Sequence, residues 1–120
     1  MPSLGNETIQ QAVNNASGYD TIIVRDGTYT ENVNVDVDNL TIRSENGSAN
    51  CVVNASDQND LVFDVTADWV NISGFTVRDA TGALGIYLNT VDHCTISENN
   101  VSNNIYGIYL VSQQLNFGMI

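Results

Sequence analysis

The sequence predicts an all-β solenoid, a parallel β-helix of about four coils and three short sheets behind an N-terminal amphipathic cap helix. Three rows of repeated segments carry this prediction. In the first, Asp38-Asn39-Leu40-Thr41-Ile42, Asp68-Trp69-Val70-Asn71-Ile72 and Asp92-His93-Cys94-Thr95-Ile96 share one pattern at offsets of 30 and 24 residues. In the second, Val33-Asn34-Val35 and Phe63-Asp64-Val65 are followed by Ile86-Tyr87-Leu88 and Ile108-Tyr109-Leu110. The last two sit inside identical Gly-Ile-Tyr-Leu tetrapeptides 22 residues apart. The third and weakest joins Cys51-Val52-Val53, Phe75-Thr76-Val77 and Asn99-Asn100-Val101.

Most members of these rows alternate apolar, polar, apolar and run into Asn, Asp, Gly or Ser, the signature of a short strand with one buried face. A three-residue strand is too short for a stable hairpin, so it must pair with its equivalents in neighbouring repeats. No helical periodicity separates the rows, which excludes leucine-rich and propeller architectures. Inward columns follow: Leu40 with Val70 and Cys94, Ile42 with Ile72 and Ile96, and Val35 with Val65, Leu88 and Leu110.

The first segment reads differently. Ile9, Ala12, Val13 and Ala16 recur at helical spacing, with Asn6 or Thr8 available as N-cap and Gly18 just beyond the end, so a helix is expected over 7–17. It would cover the open end of the first coil, whose strand edges otherwise face water. The coils are expected over 20–111 of a single domain, 1–120. Leu115-Asn116-Phe117 follows Leu110 at the offset of five that separates Val35 from Leu40, so 112–120 reads as the start of a further coil or a capping tail. Leu115, Phe117, Met119 and Ile120 would leave an apolar end open to a second copy of the chain.

Composition narrows the partners. Charged residues make up 14% of the 120, well below the roughly 25% of an average domain, and net charge is −11. Arg25, Arg43 and Arg78 are the whole basic complement, too few for a nucleic-acid footprint or an anionic-membrane patch. No stretch reaches the ~18 apolar residues of a span, so membrane insertion is not expected either. Met1 to Asn6 has neither a basic start nor an apolar signal core, so an exported parent is expected to carry its signal outside this sequence. The two cysteines, Cys51 and Cys94, lie in coils two steps apart. That is about 10 Å at strand spacing, beyond the ~7 Å reach of a disulfide, so both thiols are expected to be reduced.

Thr8-Ile9-Gln10-Gln11-Ala12-Val13 and the run from Asp20 to Val33, with Asp26-Gly27-Thr28-Tyr29 at its centre, resemble the opening of right-handed parallel β-helix proteins of the pectin-lyase-like superfamily, pectinesterases included. Cys94 to Asn104 and Gly107-Ile108-Tyr109-Leu110 resemble the repeats of periplasmic copper-binding-type and archaeal cell-surface β-helix proteins. Together these stretches reach from about residue 6 to 111, and they imply a right-handed coil. Enzymes of the superfamily set carboxylates with Arg, Lys or His on the outward face of one sheet. Here the outward positions read Thr41, Asn71 and Thr95 on one wall and Asn34, Asp64, Tyr87 and Tyr109 on another. The chain has no lysine, its one histidine, His93, stands at a corner, and no pair of aspartates flanks an arginine. The resemblance therefore reaches the fold and not the catalytic residues.

The expected function is a non-catalytic cell-surface or extracellular module, structural or adhesive, with surface polysaccharide as its candidate ligand. The alternative is a fragment of a polysaccharide-active lyase, hydrolase or esterase whose catalytic residues are absent here. Tyr87 and Tyr109, one above the other, offer a sugar-stacking platform with Asp64 as hydrogen-bond acceptor. As a bland alternative they merely shield the ladder. Asp57, Asn59, Asp60 and Asp64 gather oxygen ligands around a turn that suits calcium, although the spacing is not that of an EF-hand and such loops are commonly just solvated. No other cofactor is expected. Asn99 reads as an inward corner residue bonding neighbouring backbone. Sequons at Asn6, Asn15, Asn39, Asn46, Asn54, Asn71 and Asn100 permit glycosylation, but Asn-rich chains generate them by chance.

Overall fold

The computed structural model describes residues 8–111. Behind a short helix, α1 (Ile9–Asn14), twelve strands run in strict rotation through three parallel four-stranded sheets. The first sheet takes β1 (Thr21–Val24), β4 (Thr41–Ser44), β7 (Asn71–Ser73) and β10 (Thr95–Ser97). The second takes β2 (Gly27–Thr30), β5 (Cys51–Asn54), β8 (Thr76–Arg78) and β11 (Asn100–Ser102). The third takes β3 (Val33–Val35), β6 (Phe63–Val65), β9 (Leu84–Asn89) and β12 (Tyr106–Val111). Four coils of a right-handed parallel β-helix result, the hand that twisted parallel strands favour in their crossovers.

The register is the one the rows predict. Ile22, Ile42, Ile72 and Ile96 align across the first sheet, and Val35, Val65, Leu88 and Leu110 across the third. Leu40, Ile42, Phe63, Val65, Val70, Ile72, Phe75, Val77 and Ile86 are completely buried, with the Phe63 and Phe75 rings 5.9 Å apart at 46°. Rows one and three extend one coil further than the sequence patterns suggest. Ile22 aligns with Ile42 and Tyr29 aligns with Val53, although neither β1 nor β2 repeats the later motifs.

Coverage declines at the last coil. Cys94, Ile96 and Val101 are only partly buried, and Ile108 and Leu110 are each 49% exposed. Cys94 is thus less enclosed than Leu40 and Val70, the column mates it was expected to match. Both cysteines are free. Leu115, Phe117, Met119 and Ile120, expected to form an apolar association surface, lie outside the described residues.

The cap helix is shorter than the expected 7–17. Thr8 is its N-cap in a full capping box with Gln11, and it closes at Asn15, burying Ile9, Ala12 and Val13. Asn6, the other N-cap candidate, is outside the described residues. Two long-range devices fasten this helix. The Glu31 carboxylate accepts from the Ile9 and Gln10 amides at 2.9 and 3.1 Å, placing a negative charge on the positive end of the helix. The Gln10 carboxamide accepts from the Asn34 amide at 2.7 Å and donates to the Asn34 carbonyl at 3.0 Å. A side chain thereby takes the place of a missing strand on the free edge of β3.

Asparagines close the corners. The Asn99 side chain accepts from the Phe75 amide at 2.9 Å and donates to the Ile72 carbonyl at 3.0 Å, the bonding to backbone predicted for it. Asn104 treats the Ala80 amide and the Val77 carbonyl in the same way. Each satisfies polar backbone that a tight corner would leave unpaired. At Gly85 the chain packs so closely that a Cβ would lie 2.6 Å from the Gly107 carbonyl oxygen and 2.7 Å from Val101 Cγ1. This approach accounts for the glycine of the repeated tetrapeptide.

Candidate functional site

The outward residues of the third sheet form one ladder. Asn34 pairs with Asp64, Asp64 with Tyr87 and Tyr87 with Tyr109, each on successive coils. Parallel pairing holds successive members about 4.8 Å apart, and the alternation of each strand turns all four side chains away from the core. The Tyr87 and Tyr109 rings lie 5.6 Å apart at 35°. Tyr106, at the start of β12, adds a third ring 6.1 Å from Tyr109 at 30°. Tyr106 is 60% and Tyr109 46% exposed, so the cluster presents open aromatic faces to solvent.

Asp64 stands at the inner end of this aromatic strip. Its Oδ1 is sealed from solvent and has no hydrogen-bond partner, the one such side-chain atom among the described residues. Burial, and then the charge of Asp60, push its carboxyl above the usual carboxylate range. A sealed, unpaired acceptor is unfavourable for folding, whereas the side chain as a whole is only half-buried and meets the surface beside the tyrosine faces. Stacking of sugar C–H faces on the rings and hydrogen bonding of sugar hydroxyls to the carboxylate are the chemistry this arrangement offers.

The three residues singled out from the sequence, Asp64, Tyr87 and Tyr109, are therefore brought together. Tyr106 was missed because the repeat pattern begins at Gly107, leaving Tyr106 just outside the aligned motif. Asp57 and Asp60 lie in the loop before β6, where they act as turn acceptors. Asp57 Oδ1 accepts from the Asn59 amide at 2.9 Å and Asp60 Oδ1 from the Leu61 amide at 2.8 Å. Among the described residues no group of three or more His, Cys, Asp or Glu side chains is arranged to hold a metal ion. His93 sits at its expected corner and stacks on Trp69, ring centroids 4.1 Å apart and 6° from parallel.

A catalytic pair is not built on this ladder. Its four positions supply one carboxylate, and Arg78, in β8 on the second sheet, is turned to Asn54 Oδ1 at 2.8 Å and Asp79 at 3.7 Å. No helix among the described residues is long and apolar enough to cross a membrane.

No family model matches the chain. Over 97 residues, 79% of its length, it is 39% identical to a cell surface glycoprotein of the archaeon Methanothermus fervidus, and that stretch makes up 15% of the glycoprotein. Among solved structures it is similar to a pectin methylesterase in complex with hexasaccharide VII, with a TM-score of 0.76 at 16% identity. A substituted pectin methylesterase in complex with hexasaccharide IV gives 0.73 at 15%. Both alignments cover 87% of this chain, and 41% and 43% of the respective enzymes. At such identities the likeness is one of fold. The chain has the right-handed parallel β-helix fold of these pectin methylesterases, and its sequence is similar to a segment of an archaeal cell surface glycoprotein.

Proposed function

We propose that this chain is a non-catalytic β-helix module of a cell surface that binds polysaccharide through the outer wall of its third sheet. One observation carries the reading: the solvent-open ring cluster of Tyr87, Tyr109 and Tyr106 beside the half-buried carboxylate of Asp64. The Tyr87–Tyr109 pair runs along the coil axis, as an extended glycan chain could, and Tyr106 widens the surface along β12. Its single carboxylate gives hydrogen bonding without the paired acid and base that glycosidic or ester cleavage demands. Similarity to a cell surface glycoprotein supports the location, and the net charge of −11 disfavours nucleic acid and anionic membranes as partners.

The test is a glycan array, followed by calorimetry on the best ligand. A Tyr87→Ala, Tyr109→Ala double variant that keeps its circular dichroism spectrum should lose the share of binding that the tyrosine strip contributes, read as a fall in affinity or stoichiometry. No binding by the parent chain sinks the proposal. Release of methanol or unsaturated product from pectin would overturn its non-catalytic part.

A further inference from the structure

A second aromatic column runs up the corner that precedes the first sheet. Tyr19, Asn39, Trp69 and His93 occupy the same slot on successive coils, two residues before Thr21, Thr41, Asn71 and Thr95. All four have left-handed backbone, with φ of 71°, 62°, 61° and 61°. Asparagine and histidine are at home in that conformation, whereas bulky residues such as tyrosine and tryptophan are strained by it. Two of the four coils nevertheless place a bulky ring there, and Tyr19 is 85% and Trp69 53% exposed, so burial does not repay the strain. Left-handed backbone recurs at other corners, at Asp79, Thr90, Glu98 and Asn103, so what sets this corner apart is the exposed rings it carries and not the backbone.

The column forms one side of a shallow cleft of about 430 Å³. The outward ladder Thr41–Asn71–Thr95 forms the other, with Asn71 Nδ2 donating to Thr41 Oγ1 at 3.3 Å. Trp69 and His93 stack into one double ring, and Tyr19 stands two coils, about 10 Å, from Trp69 with Asn39 between them. Neither a carboxylate nor an arginine lines the cleft. The nearby acids are tied along the corner instead: Asp38 Oδ1 accepts from the Asp68 amide and Asp68 Oδ1 from the Asp92 amide, each at 2.9 Å.

We infer that this cleft is a second saccharide site, separate from the tyrosine strip of the third sheet, and that it takes an uncharged glycan chain lying along the coil axis. Rings two coils apart match sugar faces separated by about two pyranose units. Amide and hydroxyl groups at every coil match equatorial hydroxyls, and hydrogen bonds between neutral groups need no counter-charge. The acids beside the cleft and the net charge of −11 oppose an anionic chain such as polygalacturonate. The inference shares with the proposed function only the view that the module binds glycans, and it rests on different residues.

Trp69 is the sole tryptophan of the chain, so its emission reports this cleft and no other place. The chain should be produced without N-glycans, because Asn39 and Asn71 are both sequon asparagines within the cleft. Titration with cellohexaose, mannohexaose, xylohexaose and hexa-N-acetylchitohexaose should give a saturable change in Trp69 emission with at least one of them. Hexagalacturonate should give none. The Tyr87→Ala, Tyr109→Ala variant should keep the emission change, which separates this site from the tyrosine strip. By calorimetry Trp69→Asn should lose about tenfold or more in affinity, as expected for a central aromatic anchor. Since Asn39 already fills the equivalent slot, this variant should melt no lower than the parent. The inference is overturned if no neutral hexasaccharide alters Trp69 emission, if Trp69→Asn binds as well as the parent, or if hexagalacturonate binds best.

Discussion

Replacing Asp64 by asparagine should make the protein more stable at neutral pH and a poorer glycan binder. Burial makes the charged form of the Asp64 carboxyl costly, and asparagine, which still leaves a polar atom in the sealed position, removes that charge and not the missing hydrogen bond. The residue as a whole is only half-buried, so solvent screening keeps the gain small, about 1 kcal/mol. For a chain of this size that corresponds to a rise in Tm of about 3–5 °C. The sign of the pH dependence follows from the raised carboxyl. The folded protein holds the Asp64 proton more tightly than the unfolded chain, whose carboxyl titrates near its ordinary value of about 3.9. This residue's contribution to stability is therefore fully present below about 3.9 and is lost as pH rises through the folded value. The asparagine variant does not titrate there, so its advantage should be largest at pH 7 and should vanish towards pH 3.5. Denaturant melts of both proteins across that range, taken as a difference, cancel the remaining acids. A variant that is no more stable at pH 7, or a difference that does not change with pH, would refute the reasoning.

Further expectations concern the cap, the corners and the thiols. Gln10→Ala strips the side chain that completes the β3 edge and should cost about 1–2 kcal/mol, with faster hydrogen exchange at the Asn34 amide as its local signature. Asn99→Ala leaves the Phe75 amide and Ile72 carbonyl without their partner and should cost about 2–3 kcal/mol in a urea melt; a loss below 0.5 kcal/mol, roughly that of an ordinary surface change, would count against the corner argument. Gly85→Ala should destabilise by about 2 kcal/mol or more because backbone must move. Gly107→Ala, whose Cβ would meet only Val101 Cγ1 at 3.3 Å, should cost clearly less, and equal melting temperatures would contradict this. Burial first, and the nearby Asp26 charge second, push the Cys51 thiol up to about 11, so at pH 8 an aromatic disulfide reagent should label Cys94 well before Cys51. Equal labelling rates would show the second sheet to open more readily than its packing implies.

The parts of the fold legible in the sequence are those where a local pattern had to repeat. Leu40 and Val70, or Val35, Val65 and Leu88, declare a shared wall because one buried face per strand leaves no other register for an apolar triplet. The same alternation turned Asp64, Tyr87 and Tyr109 outward on successive coils and so located the candidate site. Strands β1 and β2 were harder to assign to rows. Their inward residues Ile22, Val24 and Tyr29 follow Tyr19-Asp20 and Gly27-Thr28, which do not repeat the later motifs, and only stacking beneath β4 and β5 identifies them.

Contacts between residues far apart in the chain were invisible to pattern reading. Gln10 reaching the backbone of Asn34, and Glu31 reaching the start of α1, depend on where the helix comes to rest over the first coil. The lone oxygen of Asp64 follows from how the chain packs around β6, and the ring pair Trp69–His93 from a left-handed corner that places unlike residues in one slot. Periodicity, charge and corner chemistry are properties of neighbours along the chain, so they select the coil, its register and the partners it rejects. Burial of a particular atom, stacking of a particular ring and closure of a strand edge arise only after the coils have been laid upon one another, because each depends on a residue roughly one full coil or more away.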